Sequence, residues 1–357
     1  MMPGLSHSAP FAHSPTGSVL ALAARVLPVG LLLALLFCTP WPALASEGAC
    51  TLPYGGLVER EGVQRIARSA AWLEALRQAV AEMAHTAAQW GAEQPLRKQA
   101  LAAAIHRPAV SITPTLVPPR PAGDVTVTVY LTTPPRTVDS RLRAALAAPD
   151  MLDMREYVLA QVRDAVDEGI RLTQSAAEAR AWHGLSADRV YNQRIEWLGN
   201  RLEALWIFDE ALTRLHGVWR EPALTAATLR RALALDGQNP LLWCALGEVQ
   251  LQQDVPHAAL DSLNKALAMA PHLPRARYAL GIGHLRLQQP ALAETDFDAA
   301  LRHRPDNAAW LRARGAVRMV LEKYDLMCQD FLQACALGDC EGLAAARKRS
   351  LCLPEKP

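Results

Sequence analysis

The chain has 357 residues, of which 51% are hydrophobic and 20% are charged, and its formal net charge at pH 7 is +2. This length is sufficient for two domains, each with its own hydrophobic core. Because nucleic-acid binding requires an excess of Lys and Arg to neutralise phosphates, the near-neutral balance argues against a nucleic-acid partner.

Residues 1–45 have the pattern of a secretory leader. They contain no acidic residue and a single side-chain cation, Arg25, followed by an apolar stretch over residues 26–37 and by Ala43-Leu44-Ala45. A basic lead, a short apolar core and an A-x-A site are typical of a signal peptide, so we expect cleavage after Ala45 and location in the periplasm or envelope. The apolar core is short for a membrane span, which needs about 20 residues. An uncleaved N-terminal anchor is the alternative.

Residues 54–148 predict a small α+β module. A short strand is expected over residues 58–63, and apolar residues at helical spacing predict a helix over residues 67–90. Strict alternation then predicts two half-buried strands, over residues 109–116 and 125–131. We expect these two strands to pair antiparallel under the preceding helix.

The start of this module carries a resemblance of its own. Glu61-Gly62-Val63 precedes a helix rich in Ala and Arg. The segment over residues 58–83 resembles the N-terminal domain of some bacterial envelope lipoproteins and flagellar-assembly periplasmic proteins. The resemblance implies a protein that faces the envelope, and it brings no catalytic residue with it.

Residues 151–216 predict two long helices with a break near residues 182–184. We expect them to form an antiparallel hairpin that links the module to the rest of the chain. Trp197 and Trp206 fall on this hairpin. Their helical spacing predicts packing in the core rather than a ligand site.

Three consecutive segments, which start at Pro240, Pro274 and Ala308, align with one another at a spacing of 34 residues. The aligned positions share a mid-helix glycine, a small or large apolar residue in a second helix, and a proline at the end of that helix. They are Gly247 with Gly281 and Gly315, Ala259 with Ala293, Leu263 with Phe297 and Phe331, Ala266 with Ala300 and Ala334, and Pro271 with Pro305. Glycine inside a helix costs about 1 kcal/mol relative to alanine, so its recurrence indicates close approach of a neighbouring helix.

This pattern resembles the tetratricopeptide repeat (TPR), in which helical hairpins stack into a solenoid. The expected fold is mostly α: an α-solenoid of TPR hairpins with a small N-terminal α+β module. The array covers residues 206–339, as one degenerate repeat and three clear ones, and a capping helix and tail follow over residues 340–357. One hairpin cannot bury its apolar face alone, so the core comes from stacking.

The resemblance also implies a function, because TPR arrays bind protein or peptide segments along a concave groove that the first helix of each hairpin lines. The family's groove positions fall on four residues in each repeat. They are Leu241, Cys244, Glu248 and Leu251, then Arg275, Tyr278, Ile282 and Leu285, then Ala309, Arg312, Ala316 and Met319.

These positions predict the chemistry of the ligand. The asparagine set of the carboxylate clamp in chaperone-binding TPRs is missing, so that clamp is not expected. The groove is expected to take an apolar segment with one or two acidic groups, which Arg275, Arg312 and Arg286 would meet near its rim. The alternative is that these arginines only solvate a helix face.

Four of the cysteines lie close together near the C-terminus: Cys328, Cys335, Cys340 and Cys352. In an exported protein they predict disulfides. Cys328 and Cys335 are about 10 Å apart on one helix, which is too far for a bond. Antiparallel packing favours Cys335 with Cys340 and Cys328 with Cys352, and the rival pairing is Cys328 with Cys340 and Cys335 with Cys352.

Two further observations bear on this cysteine cluster. A metal site is a third interpretation, which the lack of a C-x-x-C pair and of a nearby histidine disfavours. The segment over residues 328–352 also resembles the cysteine-rich terminal repeat of some exported bacterial TPR proteins. Cys244 is expected to be a free buried thiol, and Cys50 has no assigned partner.

The sequence contains no H-E-x-x-H, no G-x-S-x-G and no phosphate-binding glycine loop. His284 stands where TPRs commonly carry tyrosine, and packing explains it better than metal ligation. The leading hypothesis is an exported, non-catalytic scaffold without a cofactor, which binds a protein or peptide. The alternative is a ligand sensor or enzyme with a pocket at the N-terminal module, near the proline-rich loop over residues 117–124. A third possibility is a structural role in an envelope machine.

Overall fold

The structure is a computed structural model, and it describes residues 44–55, 60–89, 113–114, 122–133, 149–183, 188–216 and 218–352. Several predicted features lie outside the described residues. They are the leader up to residue 43, residues 58–59 of the first predicted strand, most of the strand over residues 109–116, residues 117–121 of the proline-rich loop, and the tail from residue 353.

A three-stranded antiparallel sheet opens the described chain, with the order β1 (Leu44–Gly55), β3 (Ala122–Thr133), β2 (Thr113–Pro114). The strand predicted over residues 125–131 from alternating valines and threonines lies within β3. Val127 and Val129 point into the core, where each is at most 1% exposed. Thr113 pairs with Thr128, so the two predicted strands do meet antiparallel.

β1 was not predicted from the sequence, although it pairs with β3 along its whole length, from Leu44 opposite Thr133 to Gly55 opposite Ala122. It has no strict apolar alternation, and its first residues coincide with the expected cleavage site. The predicted strand over residues 58–63 is wrong from Arg60 onward, because these residues belong to α1 (Arg60–Gln89). Val63 is fully buried on the same helical face as Ile66 and Ala67, so the spacing that matters there is helical.

Two long helices follow, α2 (Pro149–His183) and α3 (Asp188–Leu212). They run antiparallel, because Arg155 near the start of α2 pairs with Asp209 near the end of α3, whereas Glu168 in the middle of α2 pairs with Arg194 near the start of α3. None of the helices in the described ranges combines the length and the hydropathy that crossing a bilayer requires.

The two tryptophans of α3 have different environments. Trp206 is 3% exposed, lies edge-on to Trp72 of α1 with 4.3 Å between ring centroids, and donates a hydrogen bond to Ser69. Trp197 is 38% exposed, and the guanidinium of Arg194 lies 4.1 Å from its ring centroid. Core packing is therefore correct for Trp206 and wrong for Trp197, whose ring is covered from outside by a cation.

The stretch from residue 206 begins with the last turns of α3 rather than with a new helix. A two-stranded hairpin follows, β4 (Leu215–His216) with β5 (Val218–Trp219), and then α4 (Pro222–Leu235). Leu229 and Ala232 of α4 are fully buried. α4 packs between α3 and the first helix of the repeats, so it continues the stack in the N-terminal direction.

The three clear repeats are three helical hairpins, and a short helix follows them. They are α5 (Pro240–Gln252) with α6 (Pro256–Met269), α7 (Pro274–Arg286) with α8 (Pro290–His303), and α9 (Ala308–Val320) with α10 (Tyr324–Ala336), followed by α11 (Glu341–Lys348). Neighbouring helices pack in chain order from α4 to α11. The expected fold class, a mostly helical solenoid with a small sheet near its N-terminal helix, is confirmed.

The repeated glycines lie where two helices touch. A Cβ atom on Gly281 would lie 2.5 Å from Cε1 of Phe297, and one on Gly315 would lie 2.6 Å from Cε1 of Phe331. Such contacts are far inside van der Waals distance, so the second helix of each hairpin can lie this close only over a glycine. This close contact explains why glycine recurs at the same position in each repeat.

The turn between the two helices of each hairpin contains a residue with left-handed backbone at one repeated position. These residues are Asp254, Gln288 and Glu322, with φ angles of 59°, 57° and 57°. A side chain other than glycine makes this conformation unfavourable by about 1–2 kcal/mol. The position therefore suits glycine in every repeat, although no repeat has it.

Gln288→Gly is expected to raise the free energy of unfolding by about 0.5–1 kcal/mol, because relief of the strained backbone exceeds the flexibility gained by the unfolded chain. Urea unfolding followed by circular dichroism measures the change. The control is Gln289→Gly at the next position, where φ is −113°. A gain of the same size in the control would show that backbone strain at residue 288 is not the cause.

Candidate functional site

The groove positions of the first repeat are mostly covered. Leu241, Cys244 and Leu251 are 6%, 0% and 5% exposed. The β4–β5 hairpin lies against α5, where the amide of Trp219 donates to Oε1 of Gln252 over 2.9 Å. Leu241 packs in the core that includes the elements before α5, whereas Cys244 and Leu251 pack in the core that α5 forms with α6 and α7. None of the three can contact a ligand.

Glu248 is the half-buried centre of a polar cluster at this end of the groove. It accepts two hydrogen bonds from Arg275, from Nε to Oε1 over 2.6 Å and from Nη2 to Oε2 over 3.0 Å. Nε1 of Trp219 donates to the same carboxylate over 3.1 Å. Arg275 thus links α7 to α5 through a bidentate ion pair, and its fork is already occupied by a carboxylate.

The other two arginines expected at the rim are also paired. Nη1 of Arg286 lies 2.7 Å from Oδ1 of Asp254. Arg312 contacts two carboxylates, Asp339 over 2.8 Å and Glu341 over 2.7 Å. The arginines therefore hold neighbouring repeats and α11 together. Each of the three already binds a carboxylate of the protein, which an acidic ligand would have to displace.

The accessible part of the groove is a short apolar strip on α7 and α9. Ile282 and Leu285 are half-buried, and Ala316 is exposed. Tyr278 lies one turn before Ile282 on α7, and its ring stacks on Trp310 of α9 with 5.1 Å between centroids and an interplanar angle of 13°. This stacking joins α7 to α9 next to the strip.

A polar pair joins the two helices of every hairpin at one repeated position, behind the groove. Its members are Gln250 with Ser262 at 2.7 Å, His284 with Asp296 at 2.8 Å, and Arg318 with Asp330 at 2.9 Å. His284 is thus held by a hydrogen bond inside its own hairpin, as expected for a packing histidine. Burial raises the pKa of Asp296 and outweighs the opposing effects of His284 and Arg277.

The last hairpin adds a second arginine to this layer. Arg314 stands where the first two repeats have Leu246 and Leu280, and it binds Asp330 over 2.6 Å and Asp298 over 2.8 Å. Burial alone would lower the pKa of Arg314, but these two carboxylates outweigh it and raise the pKa. This cluster was not predicted from the sequence, although Arg314 aligns with a leucine in each of the other two repeats.

The C-terminal cysteines form the nested pairing. Cys328 is bonded to Cys352 with 5.3 Å between Cα atoms, and Cys335 is bonded to Cys340 with 4.0 Å between Cα atoms. The first bond ties the end of α11 to α10, and the second closes the turn between them. The rival pairing is not the one in the structure. Within the described residues no group of three or more His, Cys, Asp and Glu side chains is placed to hold a metal ion.

Cys328→Ser/Cys352→Ser is expected to cost more stability than Cys335→Ser/Cys340→Ser, because the bonds close loops of sequence separation 24 and 5. Loop-closure entropy gives losses of about 3 and about 2 kcal/mol. Urea unfolding without reductant measures both. Equal losses, or a larger loss for the short loop, would contradict the prediction.

Among the residues that the structure describes, two cysteines are free: Cys50, which is half-buried, and Cys244, which is buried. Burial raises the pKa of both thiols, and for Cys244 the pKa is well above its ordinary value. A thiol in this state is a poor nucleophile. Neither cysteine is therefore suited to catalysis.

A recess of ≈ 830 Å³ lies between α1 and α2. Its walls are largely apolar, with Leu73 and Val80 from α1 and Leu159 and Val166 from α2, and Arg163 is among the polar side chains. Its volume is in the range of small-ligand sites. Among the described lining residues no His, Cys or Ser is present, so the recess brings together no nucleophile and base.

No family model matches the chain. A curated relative, the cell division cycle protein 27 homolog of Caenorhabditis elegans, is 34% identical over 83 residues, which is 23% of this chain. The match spans only 10% of that relative's length.

Solved structures of TPR proteins are also similar to the chain. YrrB, described as a TPR protein with an unusual peptide-binding site, aligns at 16% identity with a TM-score of 0.35 over 55% of this chain and 99% of its own. The first TPR of Spaghetti (RPAP3) bound to an HSP90 peptide aligns at 25% identity with a TM-score of 0.30, over 32% of this chain and 95% of its own. The period, helix pairing and glycine contacts of residues 240–336 are typical of a TPR solenoid.

Proposed function

We propose that this chain is an exported, non-catalytic scaffold whose TPR array binds an apolar segment of another protein. The observation that carries the proposal is the accessible apolar strip of Ile282, Leu285 and Ala316 on the groove side of α7 and α9. Apolar residues placed in this way on neighbouring helices can bury the apolar face of a peptide.

The rest of the groove supports a ligand of limited length. Trp219 and its hairpin cover α5 at one end, and α11 packs on the last hairpin at the other. The strip between them is built on α7 and α9 only. The ligand is therefore a short segment, and the stacking of Tyr278 on Trp310 holds α7 and α9 together, which reduces the entropy lost on binding.

Crosslinking in an envelope fraction tests this proposal with Ile282→Asp, which places a charge on the strip. The matched control is Leu292→Asp, because Leu292 is 51% exposed on α8, outside the groove positions. We expect crosslinked partners to be lost in the first variant and kept in the second. Partners kept in both would move the binding surface away from the groove. Arg275→Glu is unsuitable for this test, since it would place two carboxylates together at Glu248.

Export and location in the periplasm or envelope rest on the leader pattern of residues 1–45. Cleavage after Ala45 would remove two residues of β1 and keep the pairs from Ser46 with Leu131 onward. The N-terminal sequence of protein isolated from cell fractions tests this proposal directly. A chain in the envelope fraction that still begins at residue 1 would support the anchor instead.

A ligand sensor is the second candidate function, and the recess between α1 and α2 is the observation that favours it. The fluorescent dye 1-anilinonaphthalene-8-sulfonate is a suitable probe for an apolar recess. If the recess binds ligands, Leu73→Arg will abolish dye binding and Ile282→Asp will not. Dye binding that survives Leu73→Arg would argue against this candidate.

A further inference from the structure

One groove-side arginine differs from the others. Nη1 of Arg349 contacts Sδ of Met319 over 3.6 Å. Among the described residues, no carboxylate lies within 4.0 Å of its guanidinium, whereas Arg275, Arg286 and Arg312 all have one. Met319 is a groove position of the third repeat, so the exposed Arg349 lies at the C-terminal end of the groove.

The backbone at Arg349 is fixed by its surroundings. Its amide donates to the carbonyl oxygen of Ala346 over 3.0 Å, and Ala346 is buried in a cluster with Phe331 and Leu343. Three residues further on, Cys352 is bonded to Cys328 of α10. The chain thus anchors this arginine on both sides, while no carboxylate of the described residues pairs with its guanidinium.

The chemistry of the groove arginines decides which of them can recognise a ligand. A carboxylate that binds Arg275 or Arg312 must displace a carboxylate of the protein, so the exchange brings little gain. A carboxylate that binds Arg349 replaces only a weak contact with a thioether sulfur. A guanidinium fork matches a carboxylate in shape and charge, and such charge-assisted bonds are roughly twice as strong as neutral ones.

We propose that Arg349 is the anchor for an acidic group at one end of the bound segment. The apolar part of the ligand lies on Ile282 and Leu285 and reaches Met319, and its Asp or Glu side chain pairs with Arg349. This inference rests on the proposed function and names the chemistry of its ligand. The ligand still carries the acidic group that the sequence predicts. The arginine that binds this group is Arg349, after α11, rather than Arg275 or Arg312.

The test uses two pools of amidated nonapeptides with Leu, Ile, Val, Phe, Ala and Ser randomised at eight positions. One pool has Asp fixed at the first or the last position, and the other has Asn there. Retention on the immobilised full chain is measured by mass spectrometry. The wild type is expected to retain the Asp pool about tenfold better, as a charge-assisted bond of about 1.4 kcal/mol predicts.

Three variants separate the explanations. Arg349→Gln is expected to remove the preference for Asp, whereas Lys348→Gln, which loses the same charge one residue earlier, is expected to keep it. Ile282→Asp is expected to retain neither pool. Cys328→Ser/Cys352→Ser is expected to weaken the preference and keep apolar binding, since it frees the end of α11.

Each contrary result has one meaning. If the wild type retains neither pool better than Ile282→Asp does, the groove function itself is overturned. If the wild type retains both pools equally, the groove function stands and the role of Arg349 is overturned. Equal loss of the preference in Arg349→Gln and Lys348→Gln would assign it to overall charge, which also overturns the anchor.

Discussion

Asp209→Ala is expected to lower the free energy of unfolding by about 3–5 kcal/mol, because it removes the carboxylate that accepts two hydrogen bonds from the buried guanidinium of Arg155. The two side chains are 4% and 2% exposed and share two hydrogen bonds, of 2.6 and 3.0 Å. Their pairing joins α2 to α3 inside the core. Urea unfolding followed by circular dichroism measures the loss.

Two controls separate the loss of a buried carboxylate from the loss of an ion pair in general. Arg155→Met/Asp209→Leu removes both charges and is expected to recover most of the stability, since apolar residues of similar size suit a buried site. Glu168→Ala breaks the pair with Arg194, whose side chain is 47% exposed, and should cost far less. A double variant as unstable as Asp209→Ala would contradict the argument.

The pair of Arg155 and Asp209 could not be predicted from the sequence. Arg155 and Asp209 are 54 residues apart, and each lies among ordinary charged residues of a long helix. The period of apolar residues predicts which face of a helix is buried. It does not predict that two charges on different helices meet inside that face, because the rotation and offset of the helices decide it.

The repeats could be predicted in more detail because their signals act locally. Gly281, Phe297 and Pro305 each report a constraint inside one hairpin: close approach, the side chain that fills the space, and the end of the second helix. The nested disulfides followed from the same local geometry. The groove residues were less predictable, since Cys244 is buried among residues of α6 and α7, and the carboxylate that pairs with Arg275 is also bound by Trp219.

The N-terminal module was predicted less well for the opposite reason. β1 has glycine and proline within its span, and its strand structure comes from pairing with β3, about 80 residues further on in the chain. Conversely, Val58 and Val63 suggested a strand by composition, but Val63 packs in the helical core with Ile66. Long-range pairing therefore made β1 a strand against its local preference, whereas helical packing of Val63 overrode the composition around it.

The second large effect is expected for Asp330→Ala, which should cost about 3 kcal/mol. Asp330 is 2% exposed and accepts from Arg314 over 2.6 Å and from Arg318 over 2.9 Å. The two cations would keep Asp298 and Glu294 as partners, so the loss should lie at the lower end of the range for buried pairs. Urea unfolding measures it, and Asp325→Ala on the exposed start of α10 is the control.

The stability loss expected for Asp330→Ala can be used to compare the charged pair of the third hairpin with the neutral pair of the first. The first repeat has the neutral pair Gln250–Ser262 at the position of Arg318–Asp330. Arg314→Leu/Arg318→Gln/Asp330→Ser would give the third hairpin the residues of the first. If burial of charge is the only issue, this variant recovers most of the loss seen for Asp330→Ala. A variant that stays as unstable would show that Asp298 and Glu294 depend on these arginines, so that the cluster acts as one unit across α8, α9 and α10.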